Sequence, residues 1–280
     1  MTGAGGATTD VWEGPPVGSA RHAAVVVRAA WKSSLAGSAE YRGDLVVGTL
    51  VSIVWLAVSA VPAVVVSLNS AGAGGWTLPR LMCLLGVWYL MDAVMWIVVM
   101  PNVGQWGEQV RSGTLDGVLL RPVHSLVLCS FRVVGVQDVP KVLLALALVV
   151  TSLVLGGGPP SVLALLAGAV CVACGLVLLW ALAVLTSYKV LSHVQWDASF
   201  LLHAGLNLGR VPIPLYGDVL RVVLTWVVPV AFLTTVPAQV LFGMVPWWTV
   251  GAALGFAAAS VVVVVVLWNR ELRRYAGAMG

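Results

Sequence analysis

The sequence predicts an all-α integral membrane protein with six transmembrane helices. Three observations carry that class. Hydrophobic residues make up 60% of the 280 and charged residues only 9%, and the mean hydropathy of +1.00 exceeds what a soluble domain of this size carries. Apolar runs of about twenty residues recur along the chain, and at ~1.5 Å per helical residue each can cross the ~30 Å hydrocarbon layer. Lys and Arg collect on alternate connecting segments, as they do on the cytoplasmic side of polytopic proteins. The formal charge of +4 would suggest an anionic partner in a soluble chain, but here it follows the spans, so nucleic acid is a poor partner.

Residues 1–19 are rich in Gly, Thr and Pro, lack an apolar period and read as a disordered cytoplasmic tail. They do not form a signal peptide, because the apolar stretch beginning at Ala23 is broken at Arg28. Residues 20–275 read as one transmembrane domain, with a short tail at 276–280. Over residues 20–38, Val27, Trp31 and Leu35 recur on one helical face, with Arg28 and Lys32 on another. That pattern suits an interfacial helix, with Trp31 at headgroup depth and the cations near anionic lipid; a solvated helix against a partner is the alternative.

The first span covers residues 45–68, bent or weakened at Pro62, and the second covers 81–100. A polar insert at 108–122 follows, then a third span at 137–157. The Gly-Gly-Gly-Pro-Pro turn at 156–160 joins it in a hairpin to the fourth span, 162–186. The last span, 247–268, is closed by Arg270, Arg273 and Arg274. Between residues 187 and 246 two readings compete. Hydropathy favours a fifth span at 219–242, yet Pro229 and Pro237 would each cost a continuous helix ~3 kcal/mol. The other reading makes 194–213 the fifth span, despite His203 and Asn207, and folds 216–243 into two short helices dipping into the outer leaflet. With that choice, Lys and Arg at 21, 28, 32, 42, 111, 121, 132, 141, 189, 270, 273 and 274 lie inside, against 80, 210 and 221 outside. Both termini and the polar insert are then cytoplasmic.

Within the insert, Ser112 can cap a helix, Asp116 suits the positive helix end, and Pro122 forbids helical geometry at Arg121. A helix over 113–120, ~12 Å long, would put Leu115, Val118 and Leu119 on one face and leave Glu108, Arg111, Asp116 and Arg121 as charge around it. Such an element suits a protein-to-protein contact.

Enzymatic chemistry finds no support. No G-x-x-x-x-G-K-[ST] loop is present to cradle phosphates, so this chain cannot bind and hydrolyse ATP in the usual way. His22, His124, His193 and His203 are scattered, and Asp138 and Asp197 sit at span borders. Cys171 and Cys174 form a C-x-x-C inside an apolar run without a neighbouring His, Asp or Glu, which reads as packing rather than redox or metal chemistry. Twelve Arg against three Lys, and only three Ile, suggest a G and C rich bacterial genome.

Asp92 is the ionisable residue near the middle of a span. An ionised Asp there costs about 2.5 to 3.5 kcal/mol on insertion scales, so it should face the bundle interior or water. It either lines a transport path, with His203, Asn207 and Trp96 as further candidates, or hydrogen-bonds a neighbouring helix. Trp55, Trp88 and Trp180 lie at similar depth. Trp76, Trp106, Trp247, Trp248 and Trp268 fall near span ends, where an interfacial belt is expected. Gly251-x-x-x-Gly255 invites close helix packing, within the chain or across a dimer.

Several segments together resemble a known family. Ser112-Gly-Thr-Leu-Asp-Gly-Val-Leu-Leu-Arg-Pro122 after the second span is similar to the S-G-x-L-x-x-x-L-x-R-P of permease subunits of type-2 ATP-binding-cassette exporters, in their six-span bacterial branch. Glu40-Tyr-Arg-Gly-Asp44, Arg210-Val-Pro-Ile-Pro-Leu-Tyr216, Pro229-Val-Ala-Phe232 and Val236-Pro-Ala-Gln-Val-Leu-Phe-Gly243 extend the likeness. The resemblance implies a coupling helix in the insert, with Glu108, Arg111, Gly113, Leu115, Asp116, Val118, Leu119 and Arg121 meeting an ATPase subunit. It also implies a re-entrant outer hairpin at 216–243 containing Pro229 and Pro237, which favours 194–213 as the fifth span.

The expected protein is thus a permease in the bacterial inner membrane, paired with two ATPase subunits and a second permease, identical or homologous, and surrounded by membrane lipids. It would hold no cofactor itself, ATP and magnesium residing in the partner, and would export a hydrophobic or amphipathic, drug-like or lipid-like compound by alternating access. An ion-gradient-driven transporter would need internal repeats and several matched intramembrane charges. A non-transporting scaffold is the other alternative.

Overall fold

The computed structural model describes residues 20–38, 42–69, 75–120, 124–157, 160–193 and 199–274. The expected tails, Arg121, Pro122 and the start of the expected fifth span at 194–198 lie outside these. Every regular element among the described residues is helical.

Helix α1 (Ala20–Ser38) rests on the bundle through Trp31, whose Nε1 donates to the Phe131 carbonyl at 2.7 Å, while Arg28 and Lys32 are exposed. Helix α2 (Arg42–Asn69) passes through Pro62 without interruption. It is peripheral, with 17% of its most apolar window buried, whereas the long span that begins at Leu78 has 67% buried. That second span is central. It comprises α3 (Leu78–Val94), a widened π turn at Met95–Val99, α4 (Met100–Val103) and α5 (Trp106–Arg111).

The widened turn has a cause in the sequence. Pro101 has no N–H, so the Ile97 carbonyl loses its donor four residues on. The Gly135 N–H takes that carbonyl at 2.8 Å. Met100 N–H bonds the Met95 carbonyl, five residues back instead of four.

Gly113, at φ 69°, reverses the chain into α6 (Thr114–Leu119). Ser112 does not cap this helix as expected. It closes α5, its Oγ donating to the Glu108 carbonyl at 2.8 Å, and Gly113 occupies the capping position. Helices α7 (Ser125–Phe131) and α8 (Val139–Leu155) follow. Helix α8 packs closely along α3 because Gly86 has no side chain: a Cβ there would lie 2.7 Å from Val149 Cγ2. Helix α9 (Val162–Ser187) starts at Ser161, whose Oγ accepts from Ala164 N–H at 3.2 Å, and continues in a 3-10 turn, Tyr188–Leu191.

Within the expected fifth span, 194–213, the described helix is α10 (Ser199–Leu208), with 194–198 outside the described residues and the helix stopping short of 213. Turns at Gly209 and Arg210 end it, and a 3-10 turn, Ile213–Leu215, capped by Pro212, follows. The rival span at 219–242 is broken. Its parts are α11 (Asp218–Val222), a π turn at Val223–Val227, α12 (Val230–Leu233) and α13 (Thr235–Leu241). Val228 is extended at φ −115°, and Pro229 begins the second arm. Pro229 caps α12 and Pro237 sits in the first turn of α13, where a missing N–H breaks no helix bond.

Helix α14 (Trp248–Leu272) closes the fold. Gly251 and Gly255 do not pack within the chain, since a Cβ at either would meet nothing within 4 Å. The tryptophan belt also needs correction. Trp247 and Trp248 are exposed, but Trp76, Trp106 and Trp268 are buried. Among the described residues, four helices are long and apolar enough to cross a membrane, and Val139–Leu155 is a shorter apolar helix.

Candidate functional site

Two regions combine polar chemistry with access from outside. One is a cavity of about 530 Å³ between α2, the widened turn, the residues leading into α8, and α10. The other is the exposed elbow formed by α5 and α6. The span Leu78–Arg111 joins them, supplying Trp96 to the first and Glu108 and Arg111 to the second.

The cavity is lined by Ser52, Trp55, Trp96, Gln137, Asp138, Lys141 and His203, among others. Trp96 is 40% exposed there, although its neighbours Met95 and Ile97 are buried. The His203 ring meets Trp96 nearly edge-on at 6.0 Å. Asn207 lies one turn further along the same face of α10, and its Oδ1, like His203 Nδ1, has no hydrogen-bond partner among the described residues.

Asp92 is not on the cavity surface. It is completely buried behind Lys141, whose Nζ bonds Asp92 Oδ2 at 3.1 Å and Asp138 Oδ1 at 2.7 Å. One lysine therefore serves two carboxylates and ties α3 to α8, so each buried charge has a counter-ion. Asp92 Oδ1 remains unpartnered. Sequence reasoning placed Lys141 among the cytoplasmic loop cations and so missed it as the partner of Asp92. The available signal was Asp138-Val-Pro-Lys141, an i,i+3 ion pair opening an apolar helix. Arg210 was also misplaced: its guanidinium lies 4.3 Å from the Trp88 ring centre and 5.2 Å from that of Trp55, inside the bundle rather than in an outer loop.

At the elbow the expected contact face turns inward. Leu115 is 1% exposed and Val118 is 5%, both packed in the permease core, with Leu119 half-buried against it. These side chains pack against the chain's own core instead of facing outward. The outer surface consists of Glu108, Arg111, Ser112, Thr114, Gly117 and Leu120, the last 86% exposed. Glu108 and Arg111 pair at 3.1 Å. Asp116 is half-buried in the first turn of α6.

A frame of buried polar bonds holds the elbow to the spans. Trp106 Nε1 donates to the Cys129 carbonyl at 3.0 Å and stacks edgewise on Trp268 at 5.0 Å; Trp268 Nε1 donates to Ser125 Oγ at 3.0 Å. Asn102 uses both ends of its amide. Its Nδ2 donates to the Val98 and Val133 carbonyls, and its Oδ1 accepts from Arg132 and Val133 N–H. Burial pushes the Cys129 thiol up to about 12, against the opposing charge of Arg132, so it stays protonated and unreactive at neutral pH.

Pro229 and Pro237 are buried in the broken hairpin, away from both regions. No group of three His, Cys, Asp or Glu suited to a metal occurs among the described residues. The arrangement suits binding and movement rather than bond-making.

A family model described as ABC-2 family transporter protein matches residues 53–279, a stretch containing the elbow, the hairpin and most of the cavity wall. No curated protein and no solved structure matches the chain. The chain belongs to the ABC-2 transporter family, as a multi-pass membrane protein of the permease type, and that membership implies an ATP-binding-cassette ATPase as partner.

Proposed function

We propose that this ABC-2 family member forms the translocation path of an ATP-driven exporter for a hydrophobic or amphipathic compound, working by alternating access with two copies of a separate ATPase. A second permease, identical or homologous, completes the path, in the bacterial inner membrane with both termini cytoplasmic. One observation carries the reading: the 34-residue span Leu78–Arg111, helical except for a tight turn at Gly104 and Gln105, lines the cavity through its middle and forms the exposed elbow at its end. Movement imposed at the elbow is transmitted to Trp96 without passing through a flexible loop.

The elbow's division of labour follows from burial. Leu115 and Val118 anchor α6 to the permease, while Leu120, Glu108 and Arg111 meet the ATPase, which supplies ATP and magnesium chemistry. Asp92 and Lys141 act as a lock that makes α3 and α8 one lever.

The test is co-purification and transport. The chain extracted in detergent brings an ATPase chain with it at one to one, and the pair in sealed vesicles accumulates substrate with ATP. Leu120→Asp lowers transport at least tenfold while the permease still folds, because the Leu120 side chain is exposed. Full transport by Leu120→Asp, or a chain that purifies alone and transports with an ion gradient, would contradict the proposal.

A further inference from the structure

The widened turn decides which side chain enters the cavity. In a regular α-helix each residue advances 100°, so the extra residue of a π turn rotates the side chains on it relative to the helix that follows. Here Trp96 faces the cavity while Met95, Ile97 and Val99 are buried. Two groups outside the helix hold the turn open. Gly135 N–H takes the Ile97 carbonyl at 2.8 Å, and Asn102 Nδ2 takes the Val98 carbonyl at 2.6 Å. Gly135 leaves little room for a larger residue: a Cβ there would lie 3.0 Å from the Trp96 carbonyl oxygen and 3.4 Å from Pro101 Cγ, so the turn would have to give.

The turn presents Trp96 to a cavity that Trp55 also lines, with His203 edge-on to Trp96 and the polar groups Gln137, Asp138 and Lys141 beside them. Aromatic walls favour a flat ring, which they bind by offset stacking or edge contact, over a flexible chain of equal apolar area. Asp138 and Lys141 are already paired, so the polar groups add little preference for charge of either sign.

We propose that Trp96 is a specificity-determining residue that selects substrates carrying a flat aromatic ring, and that Gly135 is the positioning residue that places it. This rests on the reading of the cavity as the translocation path.

The experiment uses the permease with its ATPase and a reporter cysteine, Gln137→Cys, at the cavity wall. The four native cysteines are buried, so the unmodified chain serves as an unlabelled background. Labelling by a water-soluble maleimide is competed by two monocations, a tricyclic acridine dye and dodecyltrimethylammonium. The dye protects position 137, and Trp96→Ala raises the concentration needed by about tenfold while leaving the alkyl compound's unchanged. Trp96→Phe stays near the parent, and Gly135→Ala behaves like Trp96→Ala with Trp96 still present. Absence of protection by the dye, or equal shifts for both compounds in Trp96→Ala, overturns the inference. If the dye test fails while Leu120→Asp still abolishes transport, only this inference falls. If Leu120→Asp transports normally, the underlying reading falls as well.

Discussion

The two π turns among the described residues share the same local lesion and end differently. Met95–Val99 is followed by Pro101 and Val223–Val227 by Pro229, each proline two residues past the widened turn. A proline strips the donor from the carbonyl four residues earlier in both places. At the first, Gly135 supplies a replacement N–H and Asn102 clamps the next carbonyl, and the helix resumes at Met100. At the second, no segment outside the hairpin donates to Thr225 among the described residues, and the chain turns extended at Val228. A proline therefore opens a helix, but an outside donor decides whether the helix continues as a lever or folds back as a hairpin.

Removing the supports of the first turn should make it resemble the second. The largest effect is expected from Lys141→Met, which leaves Asp92 buried without a counter-charge beside the turn and should cost about 3–5 kcal/mol. Thermal unfolding in detergent would show it, and Asp92→Asn in the same chain should recover much of the loss. Gly135→Pro deletes the replacement N–H itself and should cost about 3 kcal/mol. Asn102→Ala abandons the Val98 carbonyl and the 132–133 backbone, for about 1–3 kcal/mol. The smallest effect belongs to the second turn: Pro229→Ala should change stability by less than about 1 kcal/mol, because no outside donor supports that turn and none is lost. A large loss in Pro229→Ala, or none in Gly135→Pro, would erase the distinction between the two turns.

Much of this was legible in the sequence, and what was not has a physical reason. Hydropathy identified a helical membrane protein, and the prolines at 229 and 237 argued against a continuous span at 219–242. Periodicity put Leu115, Val118 and Leu119 on one face of α6, but a period cannot say whether that face meets a partner or the chain's own core. Charge counting placed Lys141 and Arg210 in loops, since a count by segment is blind to a side chain reaching inward to Asp92 or onto Trp88. Pro101 announces a weakened turn in the second span. Its rescue by Gly135 depends on a tertiary contact that no local window contains. The same limit hid Trp106 and Trp268, which sit near span ends yet are buried against each other.

The account depends on the elbow and the cavity wall moving together, and one labelling measurement addresses that link. With Trp96→Cys in the permease–ATPase complex, the rate of modification by a water-soluble maleimide is compared without nucleotide, with ATP, and with ATP trapped by vanadate. The rate should change several-fold on trapping, and Leu120→Asp should abolish the change. An identical rate in all three states, with the ATPase bound and hydrolysing ATP, would show that the elbow does not move the cavity wall and would contradict the account.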